Sequence, residues 1–128
     1  ASALTVEPDL LLLDEPVSNV DAQNRTRILT LLDELAAAGT TLVTSTPDTE
    51  LVPHVADRVV LFDEAGTVAA RGSTREILTD TALLSDCALR PPQVVRLFDG
   101  HDAVPLTVSA GRRRLEDIGK GVADEHPD

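Results

Sequence analysis

Residues 10–21 read LLLLDEPVSNVD, and no other stretch constrains the fold so tightly. Four leucines end abruptly at Asp14 and Glu15, followed by Pro16 and a short polar turn that closes on Asp21. Such an unbroken apolar run suits a strand buried on both faces of a parallel sheet. The carboxyl edge of that kind of sheet is where ligands bind. There Asp14 could hold a metal ion through water, and Glu15 could take a proton from an attacking water.

The segments that follow fit the same sheet. Asp21 can cap a helix whose apolar positions, Ile28, Leu31, Leu32 and Leu35, recur at helical spacing. Gly39 sits where that helix should stop. Residues 40–45 are β-branched and apolar and predict a second buried strand. Strand, crossover helix and strand in this order predict a right-handed parallel unit. A short helix is expected over 49–55 and a third strand over 58–62. A turn at Asp63-Glu64-Ala65-Gly66 then leads into 67–70 as an antiparallel hairpin.

Ser73 should cap a helix over 74–78, with Glu76 at the capping-box position. Past Asp80 the pattern weakens into short helices broken by Pro91-Pro92 and Pro105. A last helix is expected over 109–119, and from Val122 the chain reads as a disordered acidic tail. At the other end, residues 1–6 read as the last turn of a helix, and Glu7-Pro8-Asp9 as a turn into the first strand. The chain has no methionine, so the plainer expectation is that Ala1 lies inside a longer reading frame.

Composition narrows the partners. A net charge of −11 argues against nucleic acid or an anionic membrane surface as a direct partner. Lys120 is the sole lysine beside ten arginines, and Asp outnumbers Glu. An acidic, lysine-poor surface of this kind suits a salt-rich cytoplasm, where screening is strong; the alternative is an acidic protein from a GC-rich genome. Phe62 and Phe98 are the only aromatic residues, so the core must be aliphatic. Cys87 is alone, which leaves no disulfide within the chain and no cysteine metal cluster. No apolar run approaches a membrane span and no leader is apparent, so a cytosolic protein is expected.

Carboxylates after an apolar strand are common as solvated strand ends. The spacing around Asp14 and Glu15 argues for more. Asp-Glu-Pro is followed by Ser18 and Asp21, a helix, a strand, and then Ser45-Thr46-Pro47-Asp48. This series resembles the Walker B, D-loop and switch-loop segments of ATP-binding cassette (ABC) ATPases, over about residues 1–78. The resemblance implies a partial P-loop NTPase fold of α/β class: a parallel sheet fragment, a β-hairpin and a helical C-terminal extension. It divides the chain into an ATPase part over 1–80, an extension over 81–121 and the acidic tail over 122–128.

Residue by residue, the resemblance gives Asp14 the water-mediated magnesium contact and Glu15 the general-base role. Ser18, Asn19, Val20 and Asp21 take the D-loop, which meets the partner cassette in a dimer. Val20 stands where the family usually has leucine, and Asp21 reads as helix cap and D-loop contact together. A larger departure is Pro47, at the switch position where the family has a histidine that orients the catalytic water. Proline offers neither a side-chain donor nor a backbone N–H. His54 is expected on the surface at the end of the next helix, and His101 and His126 suggest no role.

Nothing in these 128 residues matches G-x-x-x-x-G-K followed by Ser or Thr, nor the Leu-Ser-Gly-Gly-Gln signature. ATP and Mg²⁺ are therefore expected as ligands of the parent family and not of this chain alone. Ala56-Asp57-Arg58-Val59-Val60-Leu61-Phe62, the hairpin, and Glu76-Ile77-Leu78 look like importer-type cassettes. Leu89-Arg90-Pro91-Pro92-Gln93 with Leu97-Phe98 is similar to the extension in cobalt, nickel or vitamin uptake ATPases of the energy-coupling-factor type. That implies transmembrane permease subunits and a second ATPase subunit as partners, at the inner face of the cell membrane. Arg112-Arg113-Arg114 before Glu116-Asp117 reads as a solvated, internally paired face. A second reading is a non-catalytic interaction module, or a gene remnant that keeps the fold without the activity.

Overall fold

The computed structural model describes residues 8–124, with side chains through Lys120. The expected helical turn over 1–6 and His126 lie outside the described residues. The chain divides into two compact units between Val55 and Ala56.

In the first unit the leucine run forms β1 (Leu10–Asp14), α1 spans Ala22–Ala37, and β2 is Thr41–Ser45. The two strands pair in parallel with Asp14 opposite Ser45, so the crossover expected from the sequence is present. Asp21 caps α1 by accepting the Asn24 N–H at 2.8 Å. At the far end Gly39 takes φ +101°; its N–H donates to the Ala36 carbonyl and the Thr40 N–H to that of Leu35. This paired closure satisfies two carbonyls that the helix would leave open.

Burial on both faces of β1 does not hold within the described residues. Leu11, Leu13, Leu42 and Thr44 are half-buried, but Leu10, Leu12 and Val43 on the opposite face are 53%, 69% and 53% exposed. A two-stranded sheet with one helix packed against β2 has material to cover one face and no more. The next helix, α2 (Val52–Val55), is shorter than the expected 49–55. Asp48 delays its start, because its Oδ1 accepts the Glu50 N–H and its carbonyl accepts that of Leu51.

The second unit opens with β3 (Arg58–Phe62) and β4 (Val68–Ser73), an antiparallel pair with an irregularity at Leu61/Phe62. Asp63 organises the hairpin turn: its Oδ1 accepts the N–H groups of Ala65 and Thr67, while Gly66 supplies φ +82°. β4 runs past the expected 67–70 because Arg71 and Gly72 still pair with Val60 and Val59. Ser73 caps α3 (Thr74–Leu78) as expected, accepting the Glu76 N–H at 3.1 Å. Two short helices follow, α4 (Thr81–Asp86) and α5 (Gln93–Leu97). Val94, Val95 and Phe98 form a small core with Val104 and Leu106. The last helix, α6, covers Val108–Asp124 and so begins before and ends after the expected 109–119. Helical backbone thus enters the stretch expected to be an unstructured tail; residues 125–128 lie outside the described ones.

Candidate functional site

Parallel pairing fixes where the carboxylates stand. Because Asp14 faces Ser45 in the register, the ends of β1 and β2 are level, and the chain leaves both in the same direction. The Ser45 hydroxyl donates to Asp14 Oδ1 at 2.5 Å. The Glu15 N–H donates to the Ser45 carbonyl at 3.0 Å and also meets Ser45 Oγ at 3.3 Å. Glu15 itself has φ +46°, a left-handed conformation that residues with a Cβ seldom adopt. The turn out of β1 is therefore tied to the end of β2 at its first residue.

From Glu15 the chain turns back, with the Ser18 N–H donating to the Glu15 carbonyl at 3.1 Å. Val17 is buried beneath this turn, and Asn19 takes a second left-handed φ, +60°. Glu15, Ser18, Asn19, Val20 and Pro47 all line one open cleft of about 270 Å³. Five positions singled out in the sequence, from the strand end and from the expected D-loop and switch loop, thus meet around one space. Asp14 and Asp21 do not line it. Asp14 points to Ser45, and the Asp21 carboxylate is engaged by the Asn24 backbone and side-chain amides at 2.8 and 3.0 Å. His54 is exposed on α2, as expected.

Three residues of the site were given no role of their own in the sequence, although Ser45 and Asp48 lie in the stretch 45–48 likened there to the switch loop. Ser45 is one, although its register opposite Asp14 follows once the two strands are aligned. Arg25 and Asp48 are the others: Arg25 Nη2 lies 3.4 Å from Asp48 Oδ2, joining the first turn of α1 to the loop after β2 beside the cleft. Arg25 is the fourth residue after the capping Asp21, which places it one turn into the helix, but nothing in the sequence names its partner.

Chemically, the edge offers one carboxylate restrained by a hydroxyl, a second on an exposed turn, and a cleft large enough for water and a phosphate group. Among the described residues no group of three or more His, Cys, Asp or Glu converges as a metal site. Asp14 suits a hard cation carried in with its own water and phosphate ligands. No helix among the described residues is long and apolar enough to cross a membrane.

No protein-family model matches the chain. Individual proteins do. The chain is 47% identical over 119 residues to the cobalt import ATP-binding protein CbiO of Rhodobacter capsulatus, covering 86% of this chain and 42% of that one. It is 34% identical over 128 residues to the energy-coupling factor transporter ATP-binding protein EcfA of Methanococcus maripaludis, covering 94% and 46%. Among solved structures, cbiO1 from Clostridium perfringens, described as part of the ABC transporter complex cbiONQ, superposes with a TM-score of 0.50 at 30% identity. That match takes in 71% of this chain and 36% of the other. The chain spans less than half the length of these curated relatives.

Proposed function

The chain is the C-terminal part of an ABC ATP-binding domain of the energy-coupling-factor type, and from that premise we propose that its strand-end carboxylates serve ATP hydrolysis coupled to import. The observation that carries this reading is the convergence of Glu15, Ser18, Asn19, Val20 and Pro47 on one cleft beside Asp14. Residues 1–80 are the ATPase part in this reading, and 81–121 an extension of the uptake-type subunits.

Asp14 would hold a water of the magnesium ion that accompanies ATP, an ion that neutralises charge on the phosphates. Glu15 accepts the proton of the attacking water in this reading, supported by its place in the lining of the cleft and by the anchoring of its backbone to β2. Ser18 to Asp21 form the surface presented to a second ATPase subunit, with Asp21 also fixing the start of α1. Pro47 occupies the switch position, where it can exclude but not orient water. The phosphate-binding loop and the signature motif do not occur in these residues. ATP binding and turnover accordingly belong to the chain together with those parts. The partners are transmembrane permease subunits and a second ATPase subunit at the inner face of the membrane. The cargo is cobalt, nickel or a vitamin; the name of the Rhodobacter capsulatus relative states cobalt import of that protein.

Pro47 also favours the second reading, a non-catalytic module or remnant. One comparison separates the two. The chain is joined to the N-terminal half of an importer-type ATP-binding domain, and phosphate release is measured for the parent, Pro47→His, and Pro47→His with Glu15→Gln. Turnover that appears or rises with Pro47→His and disappears with Glu15→Gln supports the catalytic reading. Silence in all three, with ATP bound, supports the module.

A further inference from the structure

Ser45 touches the Asp14 carboxylate and the backbone N–H of Glu15, yet none of the roles above belongs to it. Its single hydroxyl proton goes to Asp14 Oδ1, because a carboxylate at neutral pH only accepts. That leaves the Oγ lone pairs turned toward the Glu15 N–H, which the Ser45 carbonyl also receives. One residue therefore accepts the N–H of Glu15 through two oxygens while holding one oxygen of Asp14. Among the described residues Asp14 Oδ2 has no such bond. The grip on Glu15 matters because its φ of +46° is one that L residues leave readily.

We propose that Ser45 is a positioning residue for the Asp14–Glu15 pair: its hydroxyl sets the Asp14 carboxylate so that Oδ2 faces the ligand, and its two oxygens keep the Glu15 backbone in the turn that aims its side chain at the cleft. This rests on the catalytic reading of the two carboxylates. A charge-assisted bond to a carboxylate is about twice as strong as a neutral one, and Ser45 is exposed at a strand end, where a plain packing role is small. Valine at 45 keeps the bulk without the hydroxyl, and threonine keeps the hydroxyl on a side chain that suits a strand.

The test has two arms. In the full chain in concentrated KCl, NMR follows the Asp14 carboxyl carbon and the exchange of the Glu15 amide, with the ladder amides of β2 as a check that the sheet is intact. Ser45→Val is expected to move the Asp14 signal and to speed Glu15 exchange several-fold, whereas Ser45→Thr leaves both near the parent. Ser45→Ala stands in if the valine variant loses the ladder. An unmoved Asp14 signal in the hydroxyl-free variant, or a threonine variant that behaves like it, overturns the proposal. In the joined ATPase carrying Pro47→His, Ser45→Val should lower kcat about tenfold with KM for ATP unchanged, and Ser45→Thr should restore it. An unchanged kcat overturns the positioning role. If the joined ATPase shows no turnover at all, the catalytic reading fails, and the carboxyl and amide signals still decide whether Ser45 sets the pair.

Discussion

Gly111 lies so close against Val94 that a Cβ built on it would stand 2.5 Å from Val94 Cγ2, with Phe98 Cε2 at 3.6 Å. The first turn of α6 can meet α5 at this distance because position 111 has no side chain. Gly111→Ala should push the helices apart or force Val94 off its rotamer, at a cost of about 1–3 kcal/mol. The measurement is urea unfolding, with Gly119→Ala as the control, since nothing lies within 4 Å of a Cβ there. Equal stability of Gly111→Ala and the parent would show that α5 and α6 are looser than this packing implies.

Asp21 is the second point of leverage. Asp21→Ala removes the acceptor for the Asn24 N–H and should destabilise α1 by about 1 kcal/mol. Asp21→Asn keeps a capping oxygen and should cost little. In the joined ATPase the same asparagine variant separates cap from subunit contact. Turnover lost with stability kept assigns Asp21 to the dimer surface; both kept assigns it to the cap alone.

Pro47 predicts a rate. Adding histidine at 47 supplies one positioned polar contact to the water, and such contacts are commonly worth about 10²–10³ in kcat. The joined Pro47→His enzyme should therefore outpace its parent by a factor in that range in steady-state phosphate release. A parent as fast as the variant would mean that position 47 is not the switch.

Cys87 gives a pH dependence. Its side chain is 7% exposed, and burial raises the thiol above its ordinary 9.0, with Asp63, Asp86 and Glu64 adding to the shift. The folded state therefore holds its proton more tightly than the unfolded chain. The stability this contributes is fully present below about pH 9 and falls as pH rises above it. The native chain should react slowly with a disulfide reagent at pH 8 and quickly once unfolded. Fast native labelling would contradict the burial.

Charge gives a salt dependence. With a net charge of −11 on 128 residues, self-repulsion opposes the compact state and is screened as ions are added. The thermal midpoint should rise by several degrees between 0.1 and 2 M KCl, read by circular dichroism. A midpoint that is flat over this range would sink the argument.

Much of the first unit was legible because its signals are local. The leucine run, the cap at Asp21, the stop at Gly39 and the β-branched residues before Ser45 each fix their element without outside help. The hairpin was legible for the same reason, through Asp63 and Gly66. What escaped depends on distance along the chain. Arg25 and Asp48 are 23 residues apart and meet at 3.4 Å; neither residue's own surroundings announces that pairing. Ser45 matters through its register with Asp14, 31 residues away. Burial of β1 was misjudged on one face because an apolar run records what a strand can tolerate, not what is present to cover it. The last helix was expected to end at Gly119, and its backbone continues to Asp124.

The left-handed backbone at Glu15 sets local stability against the chemistry proposed for its side chain. A glutamate there works against its own conformational preference, and glycine or asparagine would sit more easily at φ +46°. Mutations to either should relax the turn, yet each would remove the carboxylate. Glu15→Gly should therefore resist urea better than the parent while losing the carboxylate that the proposed hydrolysis uses.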